Sequence, residues 1–292
     1  MAPEVSTVVP TRDRPESLAR CLAALEHQTL ASVLELVVVD DGSEQERAVA
    51  EVVASVPSAR LVRIPRGGVA AARNAGVRAA GGRFVCITDD DCVPDLRWAE
   101  RMRETFATGA DAAAGPTVNG RLDDPLAGAT QTIVEFLTER SLGPASSTRF
   151  APGSNIAATA ETLAAVPFDE TYGPGGEDRD WCARVLASGR RIAWQPGAVV
   201  AHHQELTLQA FLRKHVNWGR GARQFRRAQP SASAMPGPGF YAALLRRGFE
   251  QGTATGLLVL LAQLATAVGY ADEALGATPG ETNGRVRRSG GG

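Results

Sequence analysis

Apolar runs and amphipathic stretches alternate along the first ninety residues of the chain, and this alternation limits the folds available to it. Apolar, β-branched runs predict strands at residues 5–9, 34–39, 61–64 and 84–88. The stretches between them have apolar residues at helical spacing and predict helices at residues 15–28, 44–55 and 69–80. Almost continuously apolar strands are typical of a parallel sheet that is buried on both faces. The sequence therefore predicts an α/β fold with a mainly parallel, Rossmann-like sheet flanked by helices.

Polar residues follow three of the predicted strands. These residues are Pro10 and Thr11, then Asp40 and Asp41, then Asp89, Asp90 and Asp91. Ligands of open α/β sheets bind beyond the carboxyl ends of the strands. Three adjacent aspartates repel each other, and a hard divalent cation relieves that repulsion. In an extended segment Asp89 and Asp91 would lie on one side and Asp90 on the other. The alternative is a solvated acidic turn.

Two more groups of polar residues follow downstream. Glu177 and Asp178 begin a helix predicted at residues 178–188, where the helix dipole favours charged carboxylates. They predict either a general base or an ordinary acidic helix cap. His202 and His203 end an apolar strand. They predict either part of a carboxylate and imidazole metal site or a structural pair.

The distribution of lysine and glycine excludes several enzyme classes. The chain has a single lysine, Lys214, in an arginine-rich stretch that we predict to be a surface helix. No glycine-rich phosphate loop precedes it, so P-loop chemistry is excluded, and Schiff-base chemistry is disfavoured. The first glycine is Gly42, so the first strand is not followed by the G-x-G-x-x-G of dinucleotide-binding enzymes.

Charge and cysteine content indicate the compartment and exclude one class of partner. The formal net charge is −1 and no nucleic-acid-binding motif accompanies the arginines, so we expect no nucleic-acid partner. The four cysteines have no C-x-x-C or zinc-ligand spacing. The N-terminal residues lack the pattern of a secretory signal. These features favour a cytoplasmic protein.

Taken together, the motifs resemble those of a known enzyme family. The segments VSTVVPTRDRP, LELVVVDDGS, ITDDDCVP and GGEDRDWCARV followed by VVAHH are similar, in this order, to family 2 glycosyltransferases with the GT-A fold. The resemblance covers residues 4–205. Cys92 departs from the pattern, because many members have an acid or another polar residue there.

The resemblance implies a role for each matching residue. The nucleotide-sugar would contact Pro10, Thr11, Asp41, Arg73, Asp89, Asp90 and Asn155. Asp89 and Asp91 match the D-x-D motif, with Asp91 as the direct metal ligand and Asp89 as a second candidate. His202 would join the metal, with His203 as the alternative. Asp178 matches the general base, and Glu177 lies beside it.

The implied reaction is an inverting glycosyl transfer. A hydroxyl of a glycan, lipid or small molecule would attack the sugar of a UDP-, GDP- or dTDP-sugar in one displacement, with Asp178 removing the proton. Mn²⁺ or Mg²⁺ would neutralise the departing diphosphate. One alternative is a sugar-phosphate nucleotidyltransferase, which the lysine-free sequence VPTRDRPESL after the first strand disfavours. Another is a non-catalytic scaffold that binds a nucleotide-sugar at a membrane.

The chain after residue 205 differs in composition from the part before it. We predict a GT-A domain at residues 1–205, with a nucleotide-binding half (1–92) and an acceptor half (93–205). A C-terminal helical extension would follow, with a basic helix at 206–228, a linker at 229–239, a helical segment at 240–276 and a disordered tail at 277–292.

Residues 253–271 contain no charge and follow a stretch rich in arginine. This pattern predicts a helix at the inner face of the cell membrane. The alternative is a buried or homodimer-forming C-terminal helix.

Overall fold

The structure is a computed structural model that describes residues 3–173, 175–232 and 235–276. The tail predicted at 277–292 lies outside these residues. The described part contains two sheets and ten α-helices. The helices are α1 Pro15–Glu26, α2 Glu46–Ala54, α3 Val69–Ala79, α4 Trp98–Thr105, α5 Pro125–Ser141, α6 Ala160–Ala165, α7 Glu177–Ala187, α8 Leu208–Ala228, α9 Pro238–Glu250 and α10 Thr253–Gly276.

A nine-stranded sheet and a three-stranded sheet account for the strands. In chain order they are β1 Val5–Thr11, β2 Leu34–Asp41, β3 Ala59–Ile64, β4 Phe84–Ile87, β5 Cys92–Pro94, β6 Ala112–Ala114, β7 Thr117–Asn119, β8 Leu142–Gly143, β9 Ser147–Thr148, β10 Ile156–Thr159, β11 Ile192–Trp194 and β12 Val200–His202. The large sheet has the order β3-β2-β1-β4-β10-β6-β11-β9-β8, and the small sheet has the order β5-β12-β7.

The N-terminal half of the large sheet is parallel, which confirms the predicted fold class. β1 pairs in parallel with β2 and with β4, and β2 pairs in parallel with β3. Successive residues of β2 enter different hydrophobic clusters: Val38 packs with the Leu22 side of α1, whereas Val37 packs with the Ala72 side of α3. Both faces of the sheet are therefore buried, because a strand presents alternate side chains to opposite faces.

The second half of the large sheet differs from the N-terminal half. β10 runs antiparallel to β4 and to β6, and it joins the two halves. Helix α5, 17 residues long, lies where the sequence suggested loops and short segments. Its start carries a recognisable signal, since the side chain of Asp124 accepts hydrogen bonds from the backbone N–H groups of Leu126 and Ala127 and Pro125 follows it.

A third hydrophobic core joins the C-terminal helices to α5. It contains Ile133 of α5, Phe211 of α8, Leu244 of α9 and Val259 of α10. Helices α8 and α10 approach so closely that a Cβ atom on Gly219 would lie 2.0 Å from the carbonyl oxygen of Thr266. The C-terminal helices therefore pack as a layer on residues that belong to the predicted acceptor half. The predicted domain boundaries remain predictions.

Candidate active site

A cavity of about 210 Å³ lies at the carboxyl ends of β1, β2 and β4. Its position is the one that the strand-end residues predicted for a ligand. The residues that line it are Pro10, Thr11, Arg12, Arg14, Asp41, Val69, Ala72, Asp89, Asp90, Asp91, His202 and Lys214. The cavity thus brings together the first strand end, the acidic triplet, one histidine and a residue of α8.

The three aspartates of the triplet have different sets of partners, although Asp90 and Asp91 share Arg14. Asp90 accepts a hydrogen bond from Thr11 Oγ1 at 2.8 Å and lies 3.1 Å from the Arg14 guanidinium. Asp91 contacts His202 and Arg14, and Asp89 contacts Arg73. The expected pairing of Asp89 with Asp91 on one side is wrong, because the chain forms a turn at Asp90 and Asp91 rather than an extended strand.

The pKa values of Asp90 and Asp91 are shifted in opposite directions. Burial raises the pKa of Asp90 to about 7, and the charge of Asp91 adds to this while Arg14 opposes it. Burial also disfavours the charged form of Asp91, but His202, Arg14 and Lys214 outweigh it and lower its pKa well below the usual range. Asp91 is therefore ionised at neutral pH, whereas Asp90 is only partly ionised.

The small sheet brings Asp91 and His202 into contact. β12 pairs antiparallel with β5, and the register places His202 opposite Cys92. Asp91 Oδ1 and His202 Nε2 lie 3.0 Å apart. The backbone N–H of His203 donates to the carbonyl oxygen of Asp91 at 2.8 Å. The imidazole ring of His203, however, lies against Gly120. Of the two candidate histidines, the geometry favours His202.

The side chains at this point suit a divalent cation. Ligand atoms of Asp91, Cys92 and His202 lie within 4.8 Å of one another. A carboxylate oxygen and an imidazole nitrogen suit Mn²⁺, and neighbouring ligands of an octahedral ion with bonds of about 2.1 Å lie about 3.0 Å apart. Burial raises the pKa of the Cys92 thiol, which makes it a poor ligand at neutral pH. Asp89, the second candidate ligand, lies outside this cluster and pairs with Arg73 instead.

Asp178 lies in the first turn of α7, and each of its two carboxylate oxygens accepts a hydrogen bond from one backbone N–H. Gly153 N–H donates to its Oδ2 at 3.1 Å and Arg179 N–H to its Oδ1 at 2.7 Å. Burial raises the pKa of Asp178 to about 7, with the neighbouring charge of Glu177 adding to this and Arg73 opposing it. A carboxylate with a pKa near the working pH has the basicity that a general base needs.

Buried Arg73 connects this carboxylate pair with the acidic triplet. Its guanidinium contacts Glu177 Oε1 at 2.8 Å and Asp89 Oδ1 at 3.1 Å. A Cβ atom on Gly153 would lie 2.4 Å from this guanidinium, so the close approach requires glycine there. Arg73 does not line the cavity itself. It therefore fixes the position of α7 relative to the strand end that carries the triplet.

Comparison with known proteins identifies the family. The sequence model of the family described as Glycosyl transferase family 2 matches residues 6–169, more than half of the chain. The chain belongs to glycosyl transferase family 2. Two relatives and one solved structure show how far the similarity of this family 2 chain extends.

The relatives are glycosyltransferases of a bacterium and an archaeon. Pre-mycofactocin glycosyltransferase of Mycobacterium tuberculosis (strain CDC 1551 / Oshkosh) is 27% identical over 238 residues, which are 79% of this chain and 49% of that protein. The chain thus spans about half the length of this relative. Glycosyltransferase AglE of Haloferax volcanii is 27% identical over 232 residues, 75% of this chain and 73% of that protein.

A solved structure shares the fold. It is the mannosyltransferase PcManGT from Pyrobaculum calidifontis, in complex with GDP-Man and Mn²⁺, with a TM-score of 0.62 and 21% identity. The alignment covers 95% of this chain and 80% of that one. The resemblance that the motifs suggested is thereby confirmed for the family and for the GT-A fold.

Most of the residues predicted to contact the nucleotide-sugar line the cavity, but Arg73 and Asn155 do not. Pro10, Thr11 and Asp41 line it, and both backbone N–H groups of Gly67 and Gly68 donate to the Asp41 carboxylate.

The side chain of Asn155 is fully buried. It donates to the carbonyl oxygens of Pro116 and Ala198, both at 2.9 Å, and accepts from Trp98 Nε1 at 2.8 Å. Its hydrogen-bonding groups are thus engaged by the protein, and the structure gives Asn155 a structural role.

The family 2 sequence motifs did not identify Arg14 or Lys214 as cavity residues. Arg14 follows β1 and contacts two of the three aspartates. Lys214 was expected on the surface of an arginine-rich helix, but it lines the cavity, and burial lowers its pKa. Phe211 and His215 of α8 are buried and mark the inward face of the helix. The spacing of these two residues could have predicted that Lys214 is not on the outer surface, because Lys214 lies between them at the edge of the inward face.

Proposed function

We propose that the chain transfers a sugar from a nucleotide-diphosphate-sugar to a hydroxyl acceptor, with inversion, in a single displacement. The observation that carries the proposal is the position of Asp178, a carboxylate with a pKa of about 7. Gly153 N–H donates to Asp178, and Arg73, which lies against Gly153, pairs with Asp89 of the triplet. One end of the arrangement suits a cation and a diphosphate. The other end suits proton removal from the acceptor.

The residues of the chain have distinct tasks in this reaction. Asp178 accepts the proton of the acceptor hydroxyl as the new glycosidic bond forms. Asp91 and His202 are the residues that would bind Mn²⁺ or Mg²⁺, which would supply Lewis-acid stabilisation of the leaving diphosphate. Arg73 positions Glu177 and Asp89 and keeps α7 beside the triplet. Because the leaving group is a diphosphate and not an alkoxide, no carboxylic acid has to protonate it.

The nucleoside end of the donor would lie towards Pro10, Thr11 and Asp41. These residues line the cavity at the ends of β1 and β2. The similarity in fold to a structure that contains GDP-Man and Mn²⁺ supports a GDP-sugar as the first donor to try. UDP- and dTDP-sugars remain in the proposal. The acceptor is a hydroxyl compound of the glycan, lipid or small-molecule class.

A panel of nucleotide-sugars tests the proposed function. The full chain is incubated with UDP-, GDP- and dTDP-sugars and either Mn²⁺ or Mg²⁺, and thermal stabilisation and nucleoside diphosphate release are measured. We expect stabilisation by one donor class and turnover that depends on the metal. The anomeric configuration of the product, determined by NMR, tests inversion. No stabilisation by any donor or nucleoside diphosphate would overturn the proposal.

We also propose that the outer face of α10 lies on a membrane surface. By length and composition, Thr253–Gly276 could cross a membrane. Its inner face, however, packs on α8 and α9 through Gly269, Gly256 and Val259. A helix that is committed to such packing on one side lies in the interface plane rather than across the bilayer.

The exposed side of α10 supports this membrane contact. Seven of its exposed side chains are apolar and follow one helical stripe, formed by Leu257, Leu260, Leu264, Ala267, Val268, Ala271 and Leu275. The exposed polar residues of the helix are Thr253 at its start and Asp272 near its end. The stripe is about 27 Å long at the rise of an α-helix. Leu264 and Val268 are 58% and 61% exposed, which is unusual for such a continuous apolar face.

Arginines lie near both ends of the stripe. Arg220 of α8 pairs with Asp272 at 2.6 Å. Arg246, which is 77% exposed and lies 3.6 Å from Glu250, is one turn from Phe249, and Phe249 contacts Gly256. Cations beside an apolar helix face suit the anionic headgroups of the inner face of a cell membrane. The proposed location is therefore cytoplasmic, at the membrane surface. A homodimer formed through the same stripe would be a different outcome of the test given below.

A further inference from the structure

Lys214 reaches the donor cavity from the C-terminal helical layer. It lies in the second turn of α8 and lines the same cavity as Asp91 and His202. Its ammonium donates to Gln204 Oε1, and Gln204 is 2% exposed. The ring of Trp218 lies 5.5 Å from the same ammonium. A neutral amide and an aromatic face are therefore its partners.

The carboxylates around the cavity pair with other cations. Asp90 and Asp91 pair with Arg14, Asp91 also contacts His202, and Asp89 pairs with Arg73. Within residues 3–173, 175–232 and 235–276, no carboxylate forms an ion pair with Lys214 within 4.0 Å. A largely buried ammonium outside an ion pair is costly, because the charges of Asp91 and Asp89 offset its desolvation only in part and its pKa stays lowered.

The position of Lys214 within the cavity limits which anion it can meet. Lys214 lines the cavity together with Asp91 and His202, and the charges of Asp91 and Asp89 oppose the lowering of its pKa by burial. An anion beside Lys214 therefore lies next to the Asp91 and His202 pair. On the proposed function, that place belongs to the diphosphate of the donor.

We propose that Lys214 binds the phosphate of the donor that is distal to the nucleoside. This inference rests on the proposed function and adds a residue that the motifs do not assign. A lysine ammonium binds phosphate as a point charge with three donors, and it needs no fixed bidentate geometry. Gln204 keeps the ammonium at the cavity until the phosphate arrives. Lys214 is thus a binding residue for the leaving group.

The location of Lys214 on α8 links donor binding to the C-terminal layer. Another face of α8 packs on α10, where Gly219 and Gly269 permit close contact of the two backbones. A shift of α8 relative to the large sheet would move the ammonium and leave the aspartates in place. Donor affinity should therefore depend on the packing of α8.

Paired ligands isolate the distal phosphate in the experiment. The affinities of UDP, GDP and dTDP and of the matching monophosphates are measured by calorimetry, with Mn²⁺ and again with EDTA. The proteins are the full chain, Lys214→Met and Lys214→Gln. Exposed Arg213 is the adjacent residue on the same helix, so Arg213→Met is the matched control for loss of a nearby charge.

We expect Lys214→Met to weaken binding of the preferred diphosphate by about 10- to 100-fold, as for loss of one hydrogen bond to a charged group. Monophosphate affinity should change by less than about threefold, and Arg213→Met should change neither. The difference should persist in EDTA, because it does not depend on the metal. Lys214→Gln keeps a polar side chain, so it gives the same comparison if the methionine variant is unstable.

Two results would overturn the inference. Equal losses for diphosphate and monophosphate, with a lower melting temperature, would make Lys214 a structural cation. Unchanged diphosphate affinity in both Lys214 variants would remove it from the binding site. Failure of the unmodified chain to bind any nucleoside diphosphate would instead overturn the proposed function, and the inference with it.

Discussion

Asp91 Oδ1 and His202 Nε2 lie 3.0 Å apart because the antiparallel pairing of β5 with β12 places His202 opposite Cys92. This contact gives the first prediction. Asp91→Ala and His202→Ala should each weaken Mn²⁺-dependent binding of the nucleoside diphosphate by at least about tenfold, because each removes a proposed metal ligand.

His203→Ala is the matched control for that measurement. The His203 ring lies against Gly120, and only its backbone contacts Asp91. In a calorimetric titration with Mn²⁺ and nucleotide, we expect this variant to bind with the same affinity as the unmodified chain. If His203→Ala lost affinity and His202→Ala did not, His203 and not His202 would be the metal ligand.

Asp178→Asn should abolish sugar transfer and leave nucleotide binding intact, because the amide cannot accept the proton of the acceptor. A loss of at least about 10³-fold in kcat is expected from the usual contribution of a general base. The measurement combines product formation with calorimetry of the nucleoside diphosphate. Equal loss of binding would indicate that Asp178 is only a helix cap.

The pH dependence of transfer should report the pKa of Asp178. Burial raises this pKa to about 7, and the base acts in its ionised form, so kcat/KM should rise with pH through a midpoint near pH 7 and level off about one unit above it. Glu177 adds to the raised pKa through its charge. Glu177→Gln should therefore move the midpoint to lower pH. A midpoint that stays in place or moves upwards would contradict this origin of the shift.

Asn155→Ala should lower stability more than donor affinity. The substitution leaves the buried Trp98 Nε1–H and two carbonyl oxygens without their partner. A cost of about 2–5 kcal/mol in the free energy of unfolding is expected from such unsatisfied groups. Urea unfolding measures it, and calorimetry below the transition measures donor affinity. Unchanged stability with lost affinity would restore the sugar contact implied by the family resemblance.

The apolar stripe of α10 predicts flotation with anionic vesicles. Replacing Leu264 and Val268 together by glutamate should abolish co-flotation of the full chain, because both side chains are exposed and would be driven into the acyl region. Leu122→Glu, at a 90% exposed leucine outside the stripe, is the control. Sedimentation as a dimer without vesicle binding would identify a second copy as the partner. A version of the test that deletes α10 is unsuitable, since α8 packs on it.

The N-terminal half of the fold could be predicted from sequence because its elements are local patterns. The runs that become β1, β2 and β4 are continuous and apolar, and the spacing in α1 and α3 is helical over several turns. Helix α5 escaped prediction because threonine and glycine weaken its helical signal. Its stability comes from Ile133 and Phe136, which pack on the C-terminal helices.

The candidate site, like the fold, could be predicted from the sequence only in part. The order of motifs gave the family, and a histidine and the acidic triplet at strand ends gave the place of the cavity. The directions of Asp89, Asp90 and Asp91 were not predictable, because the turn at Asp90 and Asp91 replaces the alternation of an extended strand. Asn155 is buried by partners from three distant segments.

The sequence by itself determined the α/β class, the strand ends that bear the site and the separation of carboxylates from the C-terminal arginines. These features depend on periodicity and composition, which act over a few residues. Only the tertiary structure decided that His202 meets Asp91, that Arg73 joins two carboxylates and that Lys214, the single lysine, enters the cavity. Those contacts depend on the register of β5 with β12 and on the packing of α8, which no local pattern specifies.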